Sequence, residues 1–490
     1  MVDSDIDAVV VGAGPNGLAA ALTLAERGLT VRVYESAPTP GGGCRTADLT
    51  LDGFRHDVCA SVHALARVSP FFRTLDVERS GVQFAEPEIA FAHPLGGDRA
   101  AALWRDVART ADELGTDGPA WTRLFGPLAR DAEVIWPDIL GPLRSVPRHP
   151  LTMGRLAVPA VRSIAGLAKS RFAGEEARAL LAGVGAHSMR RLDAPFTAAF
   201  GLVLITTAHT ANWPVIRGGS GVLVTALVDR LRSLGGEVVC DTTVTDLAQL
   251  PSADLTILDV TPHQLLSIAG DRLPAWYRTA LARYRYGPGV CKVDWALKEP
   301  VPWAAAECRA AGTVHVGGTL TEIARSERDV ERGRHPDAPY VLVVQPTLMD
   351  PSRAPDGHHT LWAYCHVPAG STRDMTDVIE RQIERFAPGF TDTIIGRSSR
   401  TAADFESYDA NYVGGNILGG RASLTQTLFG PTPGWSRYKT PLKGVYLCSS
   451  STPPGGGVHG MCGYWAAREA LATFGPTSKT RGTRREDNHG

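Results

Sequence analysis

Net charge is almost missing from this chain: 50 lysines and arginines stand against 51 aspartates and glutamates, for a formal charge of −1. Such a balance creates no global field for a polyanion and excludes nucleic acid as an expected partner on electrostatic grounds. Paired cysteines are missing too. The eight cysteines stand singly at 44, 59, 240, 291, 308, 365, 448 and 462, with no CxxC and no Cys/His ligand spacing. This pattern argues against structural zinc and against a disulfide framework, so no metal is expected and a reducing compartment is. Nowhere do about 18 apolar residues follow one another, and "MVDSDIDAVVVGAG" enters a strand without the basic and apolar regions of a secretory leader. The expectation is a soluble, cytoplasmic protein. No internal repeat is evident, and 490 residues exceed what one hydrophobic core organises, so two domains are expected.

What is present begins with "DAVVVGAGPNGLAAALTLAERGLTVRVYES". Gly12, Gly14 and Gly17 keep the G-x-G-x-x-G spacing between an apolar strand, Ala8 to Val11, and an Ala/Leu-rich helix from Leu18 to Arg27. Gly12 permits the tight turn, Gly14 lets a pyrophosphate approach the backbone, and Gly17 lets the helix press on the strand; the helix N-terminus offers its free N–H groups to phosphate. A second strand, Leu29 to Tyr34, ends in Glu35, where a carboxylate would accept the hydroxyls of an adenosine ribose. The unit predicts recognition of ADP. The following "PTPGGGCRT" leans toward a flavin, because Gly41, Gly42 and Gly43 form a second bare backbone segment and Arg45 could neutralise charge. The same residues would also serve an ordinary Gly/Pro turn.

Beyond residue 53 the pattern is mixed. Pro-broken helices run from about 85 to 185, and "FGLVLITTAH" reads as a strand. At Gly218, Gly219 and Gly221 a helix begins that carries Leu223, Leu227 and Leu231 on one face, then a strand through Val238, Val239 and Val244. "ADLTILDVTP" is a short apolar strand with a Pro stop, so nucleotide-type structure resumes after a long excursion. From 286 to 409, "VCKVDWAL", "GTVHVGG", "YVLVVQP" and "TLWAYCHV" with the helix "DMTDVIERQIERFAP" predict a predominantly antiparallel sheet with covering helices. The tail "GPTSKTRGTRREDNHG" is polar, and disorder is expected from 475 to 490.

Together with the fingerprint, "GAHSMRRLDAPFTAAFGLVL", "WPVIRGGSGVLVTAL", "PVPWAAA", "DPSRAPDGHH", "GGNILGG" and "YKTPLKGVYLCSSSTPPGGGVHGMCGYWAA" resemble the phytoene desaturase and carotenoid isomerase group of FAD-dependent oxidoreductases. The resemblance spans nearly the whole chain and is strongest to the branch called pyridine nucleotide-disulphide oxidoreductase domain-containing protein 2. It implies an α/β fold: a Rossmann-type FAD-binding domain assembled from 1–85, 215–285 and 410–474, plus an inserted α+β substrate domain from 86–214 and 286–409. It further implies FAD contacts at Gly12, Gly14, Pro15, Asn16, Gly17, Glu35, Gly42, Gly43 and Arg45, at Val244 beside adenine, and at Ser450, Gly456, Gly457 and the Met461 backbone. The last helix would then aim its N-terminus at the flavin, where its dipole stabilises charge on the reduced ring. Ser449 to Pro454 depart from the Gly-Ser-Gly-Thr-His-Pro often found there, and only "AQLPS" replaces a usual hairpin after Val244.

The implied activity is desaturation or other oxidation of an apolar, polyene- or isoprenoid-like substrate by hydride transfer to flavin. Redox-neutral isomerisation and a flavin-binding regulatory role are the alternatives. His459, two residues before the last helix, is the candidate base, while His187 and His209 read as core or interface histidines. One dinucleotide site is counted, since "RGGSGVLVTAL" lacks the third glycine, so oxygen, a quinone or another small acceptor is expected to take the electrons. Between Leu140 and Gly174, Arg144, Arg148, Arg155, Arg162, Lys169 and Arg171 occur without an acid among apolar residues; this predicts a solvated helix face or a peripheral membrane contact.

Overall fold

The computed structural model describes residues 6–142, 147, 149–431, 434 and 436–474. The 475–490 tail, Arg144 and Arg148 lie outside the described residues. Among the described residues, five short strands form a parallel sheet in the order Val445–Leu447, Leu255–Leu258, Ala8–Val11, Val31–Tyr34 and Glu237–Val239. The central AVVV strand is buried throughout, as a parallel strand covered on both faces must be. After it the chain turns through Gly12 into the helix Pro15–Ala25, which packs along the last helix, Met461–Phe474. Their contact depends on Gly463: a Cβ there would lie 1.7 Å from the Asn16 carbonyl oxygen. Two elements some 450 residues apart in sequence thus close on one turn.

A second sheet of seven strands runs Ile394–Arg400, Gly289–Leu297, His359–Val367, Val341–Val344, Ala311–Val316, Ile89–Gly96 and Arg99–Trp104. Its pairs are antiparallel except Ala311–Val316 beside Ile89–Gly96. Alternation along the strands gives it two faces. Val293, Trp295, Val314, Val343 and Ala363 bury one face under Ile379 and Ile383 of the helix Thr376–Glu384. The other face carries Thr313, Leu342, Val344, Trp362 and Tyr364 toward a cavity. The protein is therefore mixed α/β, a Rossmann-type unit joined to a largely antiparallel sheet.

Three expectations are corrected. The stretch read as Pro-broken helices from about 85 opens instead with the hairpin Ile89–Gly96 and Arg99–Trp104, and its helices begin only at Val107. "FGLVLITTAH" lies in the helix Thr197–Ala211, not in a strand. Its threonines return their hydroxyls to carbonyls one turn back, Thr206 to Leu202 and Thr210 to Thr206, so β-branched residues are accommodated, and the apolar run is longer than a strand needs. The strand expected to reach Val244 stops at Val239, where Asp241 turns the chain with φ +52°.

A buried ionic knot ties the hairpin strand Arg55–Asp57 to the seven-stranded sheet. Arg353, fully buried, pairs with Asp57 and reaches Asp350 at 3.4 Å, while Trp362 Nε1 donates to the Asp57 carbonyl at 3.1 Å. Burial alone would push the Asp57 carboxyl up, but Arg353 and the Ser220 N–H hold it below the usual carboxylate range.

Candidate dinucleotide site and adjoining cavity

A cavity of about 1010 Å³ extends from the glycine turns to the open face of the seven-stranded sheet. Gly12, Gly14, Pro15 and Asn16 line it at the first turn. Glu35, Gly42, Gly43 and Arg45 line it at the second, with Val244 and Ser450 beside them and Gly456, Gly457 and His459 in the last loop. Gly17 and Met461 stand behind its wall. The two bare turns meet: a Cβ on Gly42, where φ is +51°, would lie 3.2 Å from Gly14 Cα, whereas a Cβ on Gly14 would press on Asp259 Oδ2 at 3.2 Å and make ordinary contact with Gly42. Gly14 caps the helix Pro15–Ala25 without a side-chain hydrogen bond; Pro15 brings no N–H, Gly17 N donates to Asp259 and Leu18 N to the Gly14 carbonyl, so of the first turn Asn16 N–H is the donor left for an anion.

Glu35 is fixed from both sides. Its Oε2 accepts from Ala13 N at 2.8 Å and its Oε1 from Ala37 N at 2.9 Å, so the carboxylate ties the end of the second strand to the glycine turn and retains acceptor capacity toward the cavity. Arg45 spends its donors locally, on the Thr39 and Gly42 carbonyls and the Tyr408 hydroxyl, with Glu35 Oε1 at 3.4 Å. It braces the second turn rather than projecting freely. The cradle fits a dinucleotide: two glycine backbones in contact, a helix N-terminus and an oriented carboxylate.

Sequence reasoning missed Asp259. This residue follows the strand Leu255–Leu258 at the carboxyl edge of the parallel sheet and lines the cavity. Its Oδ2 accepts from Gly17 N at 2.8 Å and would meet Cβ atoms on Gly14 and Gly17 at 3.2 Å, so part of the bareness of the turn serves this carboxyl. Burial pushes its pKa up to about 8, with Asp409 and Glu35 adding to the rise and the Gly17 N–H opposing it. An acid directly after an apolar parallel strand was the available signal, because ligands of such sheets bind beyond strand carboxyl ends. His63 was missed too. It lines the cavity, pairs through Nε2 with Ser220 Oγ at 2.9 Å, and is held neutral by burial, with its pKa lowered to about 4.

His459 does not stand as a base. Its Nδ1 accepts from Met461 N at 3.0 Å and its Nε2 faces the Gly455 carbonyl at 3.0 Å, so one ring nitrogen caps the final helix and the other carries a proton bound to the loop. Burial lowers its pKa to about 4. The same bond occupies the Met461 N–H expected to meet a flavin. His209 is a core histidine, accepting from Trp121 Nε1 at 3.1 Å and bonded through Nδ1 to the Arg105 carbonyl. His187 differs from the expectation, for it lines the cavity.

Away from the glycine turns the walls are apolar. Met153, Leu156 and Ala160 come from the helix Pro150–Ala160, Phe200, Val203 and Leu204 from the helix Thr197–Ala211, and Leu342, Val344 and Trp362 form the floor. Among the described residues no cluster of His, Cys, Asp or Glu could hold a metal ion, and no helix is long and apolar enough to cross a membrane.

Residues 10–75 match the NAD(P)-binding Rossmann-like domain. The chain is 24% identical to pyridine nucleotide-disulfide oxidoreductase domain-containing protein 2 of Rattus norvegicus, over 94% of this chain and 93% of that protein. It is 23% identical to 4,4'-diapolycopen-4-al dehydrogenase of Metabacillus indicus, over 92% and 93%. Hydroxysqualene dehydroxylase of Rhodopseudomonas palustris is 28% identical over 66% of this chain and 79% of its own length. In fold it is similar to an oxidoreductase of Methanosarcina mazei, with TM-score 0.63, 16% identity, and coverage of 95% of this chain and 100% of that one. The homologues of this chain thus include pyridine nucleotide-disulfide oxidoreductase domain-containing protein 2, diapolycopenal dehydrogenase and hydroxysqualene dehydroxylase, and its first glycine turn lies in a segment that matches a Rossmann-like nucleotide-binding domain.

Proposed function

We propose that the chain is an FAD-dependent oxidoreductase that desaturates or otherwise oxidises an apolar organic substrate of polyene or isoprenoid type. The observation that carries this reading is a single cavity that joins a dinucleotide cradle to a long apolar limb. In this reading Gly12, Gly14, Pro15 and Asn16 would hold the pyrophosphate, Glu35 the adenosine ribose and Val244 the adenine, while Ser450, Gly456 and Gly457 would flank the ring. Bound FAD would supply the hydride acceptor. The chain's own residues exclude water from the limb and orient the substrate; none of the cavity histidines discussed above is charged near neutral pH, because burial keeps His63, His187 and His459 far below their ordinary range. Similarity to a diapolycopenal dehydrogenase and a hydroxysqualene dehydroxylase supports a long hydrocarbon skeleton.

In the same reading the flavin domain is assigned to 1–85, 215–285 and 410–474 and the substrate domain to 86–214 and 286–409. Oxygen, a quinone or another small molecule takes the electrons, since, of the two G-x-G-x-x-G matches, Gly12–Gly17 stands directly between a parallel strand and a helix, whereas Gly455–Gly460 lies in the last loop of the same cavity. Peripheral membrane contact belongs to the proposal as well. The helix Pro150–Ala160 lines the cavity with one side while Leu151 and Val158 are 85% and 73% exposed on it and Val161 follows at 51%. The test is direct: purified protein is yellow, Gly14→Val bleaches it, and the product of turnover weighs two hydrogens less than the substrate. Colourless protein that ignores added FAD refutes the reading, and an unchanged product mass replaces oxidation by isomerisation.

A further inference from the structure

The sheet face turned to the cavity is apolar at Leu342, Val344 and Trp362, yet it contains a fully buried hydroxyl. Thr313 lines the cavity and its Oγ1 has no hydrogen-bond partner among the described residues. Register sets Thr313 opposite Val344 and His315 opposite Leu342, with Tyr364 opposite Leu342 on the next strand. Alternate residues share a face, so Thr313, His315 and Tyr364 are polar positions in one apolar floor. The C-cap of the helix Glu175–Ala186 brings His187 against them: its Nε2 lies 3.0 Å from His315 Nε2, and its ring meets Trp213 edge-on at 5.5 Å.

The tautomers follow from this pairing. Burial lowers His187 to about 3, with His366 adding to the effect, and lowers His315 well below its ordinary range, so both rings are neutral. Of two neutral imidazoles sharing an Nε2···Nε2 hydrogen bond, one donates and the other accepts. His315 Nδ1 is buried without a partner. A bare acceptor is tolerated there better than an orphaned N–H, so His315 donates from Nε2 and leaves Nδ1 unprotonated. His187 therefore accepts at Nε2 and carries its proton on Nδ1, and it is only partly buried against the cavity. The cations that line the cavity are engaged elsewhere, Arg45 by Glu35 and Tyr408 and Arg421 by Glu331.

We infer that the apolar limb takes a hydrocarbon carrying one neutral oxygen, a hydroxyl or carbonyl, which is received at the sheet floor by the His187 Nδ1–H and the Thr313 hydroxyl. His315 is a positioning residue, fixing the tautomer of His187. A carboxylate would meet no free cation there and is disfavoured, and a plain hydrocarbon leaves Thr313 unsatisfied. This inference rests on the oxidoreductase reading and names the chemistry of its substrate.

The experiment is calorimetric titration of the full chain, as purified, with four ten-carbon probes of one skeleton type: geraniol, geranial, geranate and myrcene. Geraniol and geranial are expected to bind at least about tenfold more tightly than myrcene or geranate. That preference should shrink to about twofold or less in His187→Phe and in the near-isosteric Thr313→Val, with myrcene affinity unchanged, and His187→Asn should recover part of it. Equal affinities for the four probes, no binding of any, or a preference undiminished in both variants overturns the inference. Flavin absorbance of the same samples is read separately, so a colourless protein that still prefers geraniol refutes the cofactor reading and leaves this one standing.

Discussion

Replacing Asp259 by Asn should stabilise the nucleotide-free protein, and by an amount that grows with pH. The carboxyl is 7% exposed, packed at the start of the helix Pro15–Ala25, with Asp409 and Glu35 as the nearby acids that disfavour its charge and the Gly17 N–H as its one donor. In the unfolded chain an aspartate titrates near 3.9, whereas here burial moves it to about 8. A group raised in this way leaves stability intact below about pH 4, where both states are protonated. As pH climbs, the unfolded chain ionises and the native one resists, so stability falls by up to about 1.4 kcal/mol per unit until pH passes about 8. At pH 7 the interval is roughly three units, or about 4 kcal/mol. Asn keeps an acceptor for the Gly17 N–H and does not titrate. Urea midpoints of the two proteins, stripped of nucleotide and compared from pH 5 to 9, should diverge up to pH 8 and then run parallel. Curves parallel over the whole range would refute the assignment of the proton to Asp259. A diphosphate arriving at the same turn adds negative charge, so dinucleotide affinity of the parent protein should also fall above pH 8, and that of the variant should not.

His459→Ala should cost about 1 kcal/mol of stability through loss of the cap on the final helix, and His459→Asn less; neither should alter the pH profile of turnover, and a profile shifted by the Asn variant would restore His459 as a base. Arg353→Met leaves Asp57 and Asp350 buried without their cation and should lower stability by about 3–5 kcal/mol, with Asp57→Asn in the same chain recovering part of it in thermal melts. Anionic liposomes should retain the protein on sedimentation, and changing Leu151, Val158 and Val161 to Ser, or Arg155, Arg162, Lys169 and Arg171 to Gln, should each weaken retention; indifference to both sets removes the membrane proposal.

The residues that could be read from sequence are those whose physical reason lies close by along the chain. Strand, glycine turn, helix, strand and Glu35 fall within some thirty residues, and each constrains the next through backbone geometry. Four strands of the second sheet, Gly289–Leu297, Ala311–Val316, Val341–Val344 and His359–Val367, were legible for the same reason, as apolar runs bounded by turn residues, whereas the hairpin Ile89–Gly96 and Arg99–Trp104 was read as helix. The misreadings occur where the deciding partner is remote or where burial overrides local preference. "FGLVLITTAH" is β-branched enough for a strand, but its environment buries it as a helix and its hydroxyls bond back along the turn. Asp259 meets Gly17 across 242 residues and His187 meets His315 across 128, and no local pattern marks either pair. His459 fails in a subtler way. Its position before a helix correctly signals a neutral ring, yet the helix end that depresses its basicity also claims its lone pair, since Met461 N donates to Nδ1. A histidine that caps a helix cannot, in that state, accept a substrate proton. At the other end of the cavity the buried hydroxyl of Thr313 and the Nδ1 of His315 behind it stand out by an incomplete set of hydrogen bonds rather than by any motif.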